Sequence, residues 1–373
     1  MKIIQQKLNN NEENNLKYYA AFSYLNTTPL FKAKLFEYFD FDIKRCFQAD
    51  KKDLQGFSDW CDVSVPRDFF SKKTKLNPDE CLKNALLKDG VKILTYEDEK
   101  YPPLLREIPD FPLSLYYLGN LSDIDYSRTL AVVGSRRATN TAKGALNSII
   151  SGLSNTNIDI ISGLAYGIDA QAHQSALDNN LTTIAVIGSG LDFQYPAQNK
   201  KLYSDIIENG GIIFSEYHLG IEPLPYNFPP RNRIVVGMSH GTLVAEAQIK
   251  SGAMISANLA LDYNRELMCI PGNILNPNTS GIYHLIKNGA GIVTTTDDLL
   301  NNLGWDIIHV DSQNEKLNEI HEKIVNILAL EESTFDEIVQ KTNLETSTIM
   351  IALTELELKG LIKQSNNKYY KNK

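Results

Sequence analysis

Apolar runs of four or five residues recur through the middle of the chain, and helical spacing of apolar residues follows most of them. These runs predict seven strands, which are Leu130–Val133, Ile158–Ser162, Thr183–Ile187, Gly211–Ser215, Thr242–Glu246, Leu267–Ile270 and Gly291–Thr294. The segments between them predict helices such as Ile168–Leu177, Lys200–Ile207 and Ala253–Leu261. Strands that alternate with helices indicate an α/β fold with a doubly wound parallel sheet over residues 128–304.

Residues 1–127 lack this alternation, and we expect a small helical (SAM-like) domain followed by a lead-in to the sheet. Apolar residues have helical spacing over Leu16–Phe39, and the step Thr27–Thr28–Pro29 predicts a break and a restart of the helix. A domain of this kind serves either as an interaction module or as a packing appendage, and the sequence leaves both interpretations open.

The chain ends in a pattern of helices and short strands. Residues 305–314 are polar and predict a linker, and residues 315–373 predict a winged-helix domain. Its predicted elements are the helices Glu315–Leu330, Ser333–Lys341 and Ser347–Leu358, with Ser333 or Thr334 as a cap, and two strands around Ser365–Asn366–Asn367. The last fifteen residues contain five lysines and no acid, whereas the whole segment is net acidic. Two interpretations of these lysines remain open: they form a basic wing that contacts nucleic acid, or they belong to a solvated tail.

Composition narrows the class of protein. A chain of 373 residues with 43% apolar residues can bury a large core in two or three domains. No run of about 18 apolar residues occurs, the first residues are too polar for a signal peptide, and the four cysteines form no C-x-x-C pair. We therefore expect a cytoplasmic protein without a membrane span, disulfide framework or zinc site. The net charge of −8 argues against a uniformly basic surface but leaves room for a local positive groove.

The loops that follow the predicted strands carry the candidate chemistry. Ligands bind at the carboxyl ends of the strands in a doubly wound sheet. Glycine lets a backbone approach a ligand closely, helix starts attract anions, and arginine holds a phosphate with two bonds. The predicted phosphate-binding residues in these loops are Gly134, Ser135, Arg136, Arg137, Ser162, Gly163, Gly167, Gly188, Ser189, Gly190, Phe193, Lys200, Lys201, Arg231, Asn232, Arg233, Lys250, Ser251 and Gly252.

Several basic loops fit a row of phosphates better than one nucleotide. The turn after the first strand has Gly134 but lacks the other glycines of G-x-G-x-x-G, which disfavours NAD, and no P-loop motif is present. Aromatic residues occur in the same loops, namely Tyr166, Phe193, Tyr195 and Phe228. Bases of single strands stack on such rings, so the pattern favours single-stranded nucleic acid. In the competing interpretation the glycines only form turns, and the arginines pair with Asp169, Asp192, Glu216 or Glu246.

One segment supports an enzymatic alternative. SHGTLVAEA, Ser239–Ala247, resembles the Gly-Gly-x-Gly-Thr-x-x-Glu loop of enzymes that cleave nucleotide N-glycosidic bonds. Ser239 and His240 stand where those enzymes prefer glycines, but Glu246 keeps a nucleotide-binding or nucleotide-cleaving protein as the alternative. No G-x-S-x-G or H-E-x-x-H motif occurs, and His173 is interpreted as a structural residue. The sequence therefore predicts a binding protein and no enzyme.

Longer motifs appear in a fixed order. They are GSRRAT, SGLAYGIDAQAH, GSGLDFQYPAQN, FPPRNRIVVGMS, EAQIKSGAMISANLAL, CIPGN and SGIYHLIKNGA, preceded by YPPLLREIPDFPLSLYYLGN. This series, over roughly residues 95–300, resembles the DprA (Smf) family of bacterial DNA-processing proteins. The resemblance implies an extended Rossmann-type fold, generally dimeric, with no nucleotide cofactor and no known catalytic step.

The resemblance also implies a role in natural transformation. Members bind single-stranded DNA, protect it, and load the RecA recombinase onto it by displacing single-strand-binding protein. The family's DNA-contacting arginine corresponds to Arg136, and its Arg-Asn-Arg corresponds to residues 231–233. Several members have a lysine where this chain has Ala197, so Lys200 must replace that contact or the contact is lost. The family's dimer contact lies near residues 282–286, which suggests Tyr283, His284 and Ile286 at an interface.

Overall fold

The computed structural model describes residues 15–154, 156–306, 319–330, 332–342, 344–358, 362–365 and 368–371. The chain divides into two compact units, Met1–His309 and Val310–Lys373. Each unit has its own hydrophobic core.

A nine-stranded sheet organises the first unit, in the order β1-β2-β6-β5-β4-β3-β7-β8-β9. The strands are β1 (Lys92–Thr95), β2 (Ser114–Gly119), β3 (Thr129–Val133), β4 (Asp159–Ser162), β5 (Thr183–Ile187), β6 (Ile212–Ser215), β7 (Gly241–Val244), β8 (Glu266–Cys269) and β9 (Gly291–Ile292). The order reverses at β3, which lies between β4 and β7. The predicted doubly wound α/β fold is confirmed, and this reversal creates a crevice at the carboxyl ends of the strands.

Two antiparallel strands extend the sheet beyond the predicted seven. β2 pairs antiparallel with β6, and β1 pairs antiparallel with β2. The sequence predicts only a lead-in here, because residues 1–127 lack the alternation of strands and helices that marks the rest of the sheet. In the structure the first five residues of β2 are buried, so their side chains are covered on both faces of the sheet. The seven predicted strands agree with the structure to within two residues at each end. The strand predicted over Thr242–Glu246 ends at Val244, which leaves Glu246 in a loop.

Helices cover both faces of the sheet. Those that follow β3 are α7 (Asn140–Ser151), α8 (Ile168–Asp178), α9 (Lys200–Glu208), α10 (Phe228–Gly237), α11 (Gly252–Asp262), α12 (Ser280–Lys287) and α13 (Thr296–Leu303). Alternate residues of each strand contact opposite layers: Ala131 and Val133 join the core that includes α10 and α11. Leu130 and Val132 join the core that includes α7, α8 and α13.

The N-terminal region is helical, as predicted. Its helices are α1 (15–23), α2 (Pro29–Tyr38), α3 (Ile43–Gln48), α4 (Phe57–Cys61), α5 (Phe69–Lys73) and α6 (Pro78–Ala85). The helix restarts at Pro29, where the Phe31 amide donates to Thr28 Oγ1 at 3.3 Å. Aromatic residues of this region join the same core as the sheet. The predicted domain boundary at residue 127 therefore stays a prediction, because the residues on both sides of it share one hydrophobic core.

The second unit contains three helices and a small sheet, α14 (Glu319–Leu330), α15 (Phe335–Thr342), α16 (Thr346–Leu358), β10 (Ser333–Thr334), β11 (Ile362–Ser365) and β12 (Lys368–Lys371). The strands run antiparallel in the order β10-β12-β11. Ser333 and Thr334, predicted as the start and cap of the second helix, form β10, because they pair with β12. Thr334 also caps α15, since its Oγ1 accepts from the Glu337 amide at 3.4 Å.

Some predicted features lie outside the described residues. They are residues 307–314 of the predicted linker, residues 315–318 of the predicted helix Glu315–Leu330, and Asn366 and Asn367 of the predicted turn. In the part of the chain that the structure describes, no helix is long and apolar enough to cross a membrane.

Candidate functional site

The loop after β3 places two arginines at the carboxyl edge of the sheet. The Ser135 amide donates to the Glu246 carbonyl at 2.7 Å, and the Arg137 amide donates to Ser135 Oγ at 3.1 Å. Arg136 and Arg137 are both exposed, and neither forms an ion pair among the described residues. This loop therefore displays two positive charges that no described ion pair occupies, on a backbone that is held by hydrogen bonds to Glu246 and Ser135.

The loop between β4 and α8 packs tightly against that arginine loop. Gly167 has φ of +78°, and a Cβ there would overlap the carbonyl oxygen of Ser135. The Ile168 amide donates to the same carbonyl at 3.1 Å. A Cβ at Gly134 would come within 2.6 Å of the Ile168 side chain. These glycines let two loops pack together, and that packing sets the position of Arg136.

An open cleft of about 600 Å³ lies at this edge of the sheet. Eight of the predicted residues line it: Gly134, Ser135, Arg136, Arg137, Arg231, Asn232, Ser251 and Gly252. The other lining residues include Ala165, Asp169, Phe228, Gln248, Ile255 and Asn278. The loops after β3 and β7, α10 and the start of α11 thus converge on one site, as ligand binding at a topological switch point requires.

Arg231 lies in the floor of the cleft and is only 3% exposed. Its Nη1 donates to the carbonyl oxygens of Gly163 and Val186, and its Nε donates to Asn232 Oδ1 at 3.2 Å. Burial lowers the pKa of the guanidinium to about 10, an effect that Asp169 opposes. Arg231 therefore joins the ends of β4 and β5 and leaves a positive charge beneath the cleft.

Arg233 does not fit the predicted phosphate contact. It is 2% exposed, and its Nη2 donates to both carboxylate oxygens of Glu216 at 2.6 Å. Its Nε also lies 3.6 Å from Asp110 Oδ2. A buried arginine that is paired with two carboxylates has neither the access nor the free charge to hold DNA. Here the alternative that arginines pair with acids applies, because the side of α10 that carries Arg233 packs against these acids and away from the cleft.

The loop after β5 lies beside a narrow apolar slot next to the cleft. Gly188 and Ser189 line this slot with Arg136, Tyr195 and Phe228, and Gly163 lines it from the loop after β4. The remaining predicted residues near this loop line neither cavity: Gly167, Gly190, Phe193, Lys200 and Lys201. Lys200 is exposed at the start of α9. Lys201 has a side chain that is 91% exposed, and its Nζ lies 3.9 Å from Asp205 Oδ2.

The start of α11 also lines the cleft. Ser251 and Gly252 line the cleft, and Lys250, the residue before them, is exposed. Ser162, another predicted residue, is the last residue of β4 and is buried, with its Oγ donating to the Val132 carbonyl at 2.7 Å. Ser251 precedes the helix and makes no capping bond through its side chain. Amides at the first turn of a helix favour anions.

Glu246 does not line the cleft. Its carboxylate accepts from the Thr139 amide at 3.1 Å, from Thr139 Oγ1 at 2.9 Å and from Asn276 Nδ2 at 3.4 Å. The side chain is 1% exposed. Both oxygens are thus occupied in fixing the start of α7 and the loop before α12, which removes the residue on which the enzymatic alternative depended.

Several residues of the cleft are not predicted as binding residues by the sequence. Asp169 is expected there only as an ion-pair partner; in the structure it is 8% exposed, and burial raises the pKa of its carboxyl. Gln248 and Asn278 also line the cleft, and Gln248 donates to Asn278 Oδ1 at 2.6 Å. No sequence motif predicts this pair of amides, because the two residues lie thirty positions apart. His173, which the sequence analysis interprets as a structural residue, is buried, and its Nδ1 forms a hydrogen bond with Thr183 Oγ1 at 2.7 Å.

The three residues predicted at a dimer contact lie on α12 and do not line the cleft. Tyr283 and Ile286 are half-buried, and the Tyr283 hydroxyl donates to the Gly272 carbonyl. His284 is exposed. The nearby loop presents Ile274 and Leu275, which are 76% and 85% exposed. The structure thus adds an exposed apolar pair to this surface.

Comparison with known proteins gives the family. The family model described as DNA recombination-mediator protein A matches residues 92–304, which is more than half of the chain. This chain belongs to that family. A second model, the DprA winged helix domain, matches residues 312–367. The resemblance to DprA (Smf) proteins is confirmed, as is a winged helix at the end of the chain.

Named relatives agree with this assignment. The DNA processing protein DprA of Streptococcus pneumoniae is 45% identical over 203 residues, which cover 54% of this chain and 71% of the relative. The crystal structure of the S. pneumoniae protein matches with a TM-score of 0.65 and 35% identity over 76% of this chain and 97% of that chain. The structure of DNA processing protein A of Helicobacter pylori, a protein with a single-stranded DNA binding mode of its own, matches with a TM-score of 0.51 and 31% identity over 57% of this chain and 95% of that chain.

Proposed function

We propose that this chain binds single-stranded DNA along the cleft, without catalysing a reaction on it. The observation that carries the proposal is the exposed pair Arg136 and Arg137, which forms no ion pair among the described residues, on a loop that lines the cleft. Their guanidinium groups can hold consecutive phosphates from one side. The buried charge of Arg231 adds to the positive potential of the floor.

The start of α11 supports a second point of contact with the strand. Its first turn faces the cleft at Ser251 and Gly252, and Lys250 is exposed beside it. The arginine loop and the start of α11 are two groups of anion-binding residues at one cleft, which fits a strand that carries several phosphates.

Exposed aromatic rings beside the cleft fit a strand whose bases are unpaired. Tyr195 is 41% exposed and lines the slot next to the cleft, and Tyr226 is 70% exposed and follows the cleft residue Pro225. Base stacking on such rings tolerates any sequence. The H. pylori relative binds single-stranded DNA, which supports the same ligand for this chain.

We extend the proposal to the role that the family resemblance implies. The chain would protect single-stranded DNA and load RecA onto it, in exchange with single-strand-binding protein, during natural transformation. It would act as a homodimer through Tyr283, His284 and Ile286, together with the exposed Ile274 and Leu275. A stable dimer of this kind should be visible by sedimentation at micromolar concentration, and a monomer there would remove the dimer from the proposal.

The decisive experiment measures the affinity of the full chain for a labelled single-stranded oligonucleotide across a salt series. Unlabelled single strands, duplexes and mononucleotides serve as competitors. We expect binding that tolerates any sequence, weakens steeply with salt and is displaced only by single strands. Displacement by a free nucleotide would instead indicate a nucleotide-binding protein and refute the proposal. If the proposal holds, RecA filament formation on strands coated with single-strand-binding protein is the next assay.

A further inference from the structure

We propose that Phe228 is a positioning residue that holds the Arg136 guanidinium at the cleft, so that a phosphate meets it already oriented. This inference rests on the proposed binding of single-stranded DNA. Phe228 is the first residue of α10, whereas Arg136 belongs to the loop after β3. The contact therefore joins two elements that are far apart in the chain.

The geometry is that of a cation over an aromatic face. The Arg136 Cζ lies 5.0 Å from the centroid of the Phe228 ring. The ring quadrupole attracts a planar guanidinium at this distance. Because Arg136 is exposed and forms no ion pair in the described part of the chain, the ring contact restricts a side chain that would otherwise sample many rotamers.

Phe228 itself is held from several sides. A Cβ at Gly188 would lie 3.1 Å from Phe228 Cδ1, so the ring rests on the backbone of the loop after β5. The Tyr195 ring stacks on it with centroids 6.0 Å apart and planes at 30°. One turn along α10, Arg231 is bonded to the carbonyls of Gly163 and Val186. A ring fixed in this way gives Arg136 a rigid support.

The consequence concerns the entropy of binding. Ordering a free arginine side chain on a phosphate costs conformational entropy, and a side chain ordered beforehand avoids part of that cost. Phe228 need not touch the DNA to contribute. Loss of a solvent-exposed cation–π contact should weaken binding by about two- to fivefold.

A double-mutant cycle tests this role, with the affinity for one labelled oligonucleotide at fixed salt as the readout. We expect Phe228→Leu to weaken binding about two- to fivefold, and Phe228→Tyr, which keeps a ring, to restore affinity to within about twofold of the wild type. In an Arg136→Ala background, Phe228→Leu should have no further effect, because the side chain that it positions is gone.

Two results would overturn the inference. Unchanged affinity of Phe228→Leu would show that the ring does not position Arg136. An equal loss in the Arg136→Ala background would show that the ring contacts DNA directly. If the wild type itself fails to bind single strands, the proposed function fails; if it binds and only Phe228→Leu is silent, only the positioning role fails.

Folding of the leucine variant is checked by its thermal midpoint. Should it not fold, the wild-type protein carries the test through the Arg136 Hε resonance, assigned by its loss in Arg136→Ala. A ring beneath the guanidinium shifts this proton upfield. A chemical shift typical of a free arginine would contradict the proposal.

Discussion

Two pairs of arginines, one in the loop after β3 and one on α10, have opposite environments. Arg136 and Arg137 are exposed and form no ion pair among the described residues. Arg231 and Arg233 are 3% and 2% exposed, and they bond to backbone carbonyls and to Glu216. The difference matters because an exposed guanidinium can meet a phosphate, whereas a buried one that is bonded to other groups stabilises the fold.

A basic motif therefore does not by itself reveal a binding role. Both pairs lie near the same edge of the sheet, and one buried arginine even lines the cleft. Their roles differ because a guanidinium can be buried only when hydrogen bonds or carboxylates satisfy it. Substitutions should accordingly divide into those that change stability and those that change DNA affinity.

The largest effect is expected at Arg233. Arg233→Ala would leave Glu216 without the guanidinium that now holds both of its oxygens at 2.6 Å. We expect the free energy of unfolding to fall by about 3 to 5 kcal/mol, because the partly buried Glu216 carboxylate, 17% exposed, would lose its partner and the buried Arg233 side chain would leave a cavity. Urea unfolding measures this loss, and Arg67→Ala, at an exposed arginine outside the cleft, is the matched control.

A stable Arg233→Ala variant with weakened DNA binding would contradict the distinction between the exposed and the buried arginines. It would place Arg233 at the interface, as the sequence alone predicts. Affinity is therefore measured at a temperature at which the variant is folded.

The next effect concerns a buried carboxyl group on β4. Asp159 is 6% exposed, and its Oδ2 lacks a hydrogen-bond partner among the described residues. Burial, with a further contribution from Asp125, raises the pKa of its carboxyl to about 7. The folded state therefore holds a proton that the unfolded state releases near pH 4, so this group lowers stability as the pH rises from about 4 through 7.

Asp159→Asn should remove that pH dependence. Relative to the wild type, we expect the variant to gain about 2 to 3 kcal/mol in the free energy of unfolding between pH 5 and pH 8. Urea unfolding at the two pH values gives this difference. Parallel pH profiles for the two proteins would show that Asp159 is ionised in the folded state without cost.

A smaller effect tests whether the loop of the exposed pair is built as rigidly as the buried pair. Gly167→Ala puts a Cβ against the Ser135 carbonyl at a φ of +78°. We expect a loss of about 1 to 3 kcal/mol, measured by thermal unfolding. Gly144→Ala is the control: it lies within α7 with nothing within 4 Å, so it should gain about 0.5 to 1 kcal/mol. Equal stability of the two variants would mean that the loops are not tightly packed.

The smallest effect on stability is expected at Arg136. Arg136→Ala should change the free energy of unfolding by less than about 0.5 kcal/mol, since the side chain is exposed. Its affinity for single strands should fall roughly equally for all sequences, and the log–log salt slope should decrease by about 0.7, as expected when one phosphate contact is lost. An unchanged affinity and slope, as expected for Arg67→Ala, would count against a binding role for the exposed pair.

Much of the fold follows from local patterns. Continuous apolar runs identify the parallel strands, because both of their faces are buried. The same rule does not predict β1 and β2, which lie in the region expected to be only a lead-in to the sheet. Their strand state depends on pairing with β6, which is distant in the sequence. The cap at Thr334 is confirmed, but the pairing of Ser333 and Thr334 with β12 is not predicted, for the same reason.

The candidate site was only partly predictable. The sequence by itself determined that glycine, serine and arginine would follow β3, and that several basic loops would share one edge of the sheet. Only the tertiary structure decided which charges are free: Glu216 and Asp110 reach Arg233 from other elements, and Glu246 is occupied by Thr139. Burial and ion pairing depend on neighbours brought together by folding, whereas motifs record only neighbours along the chain.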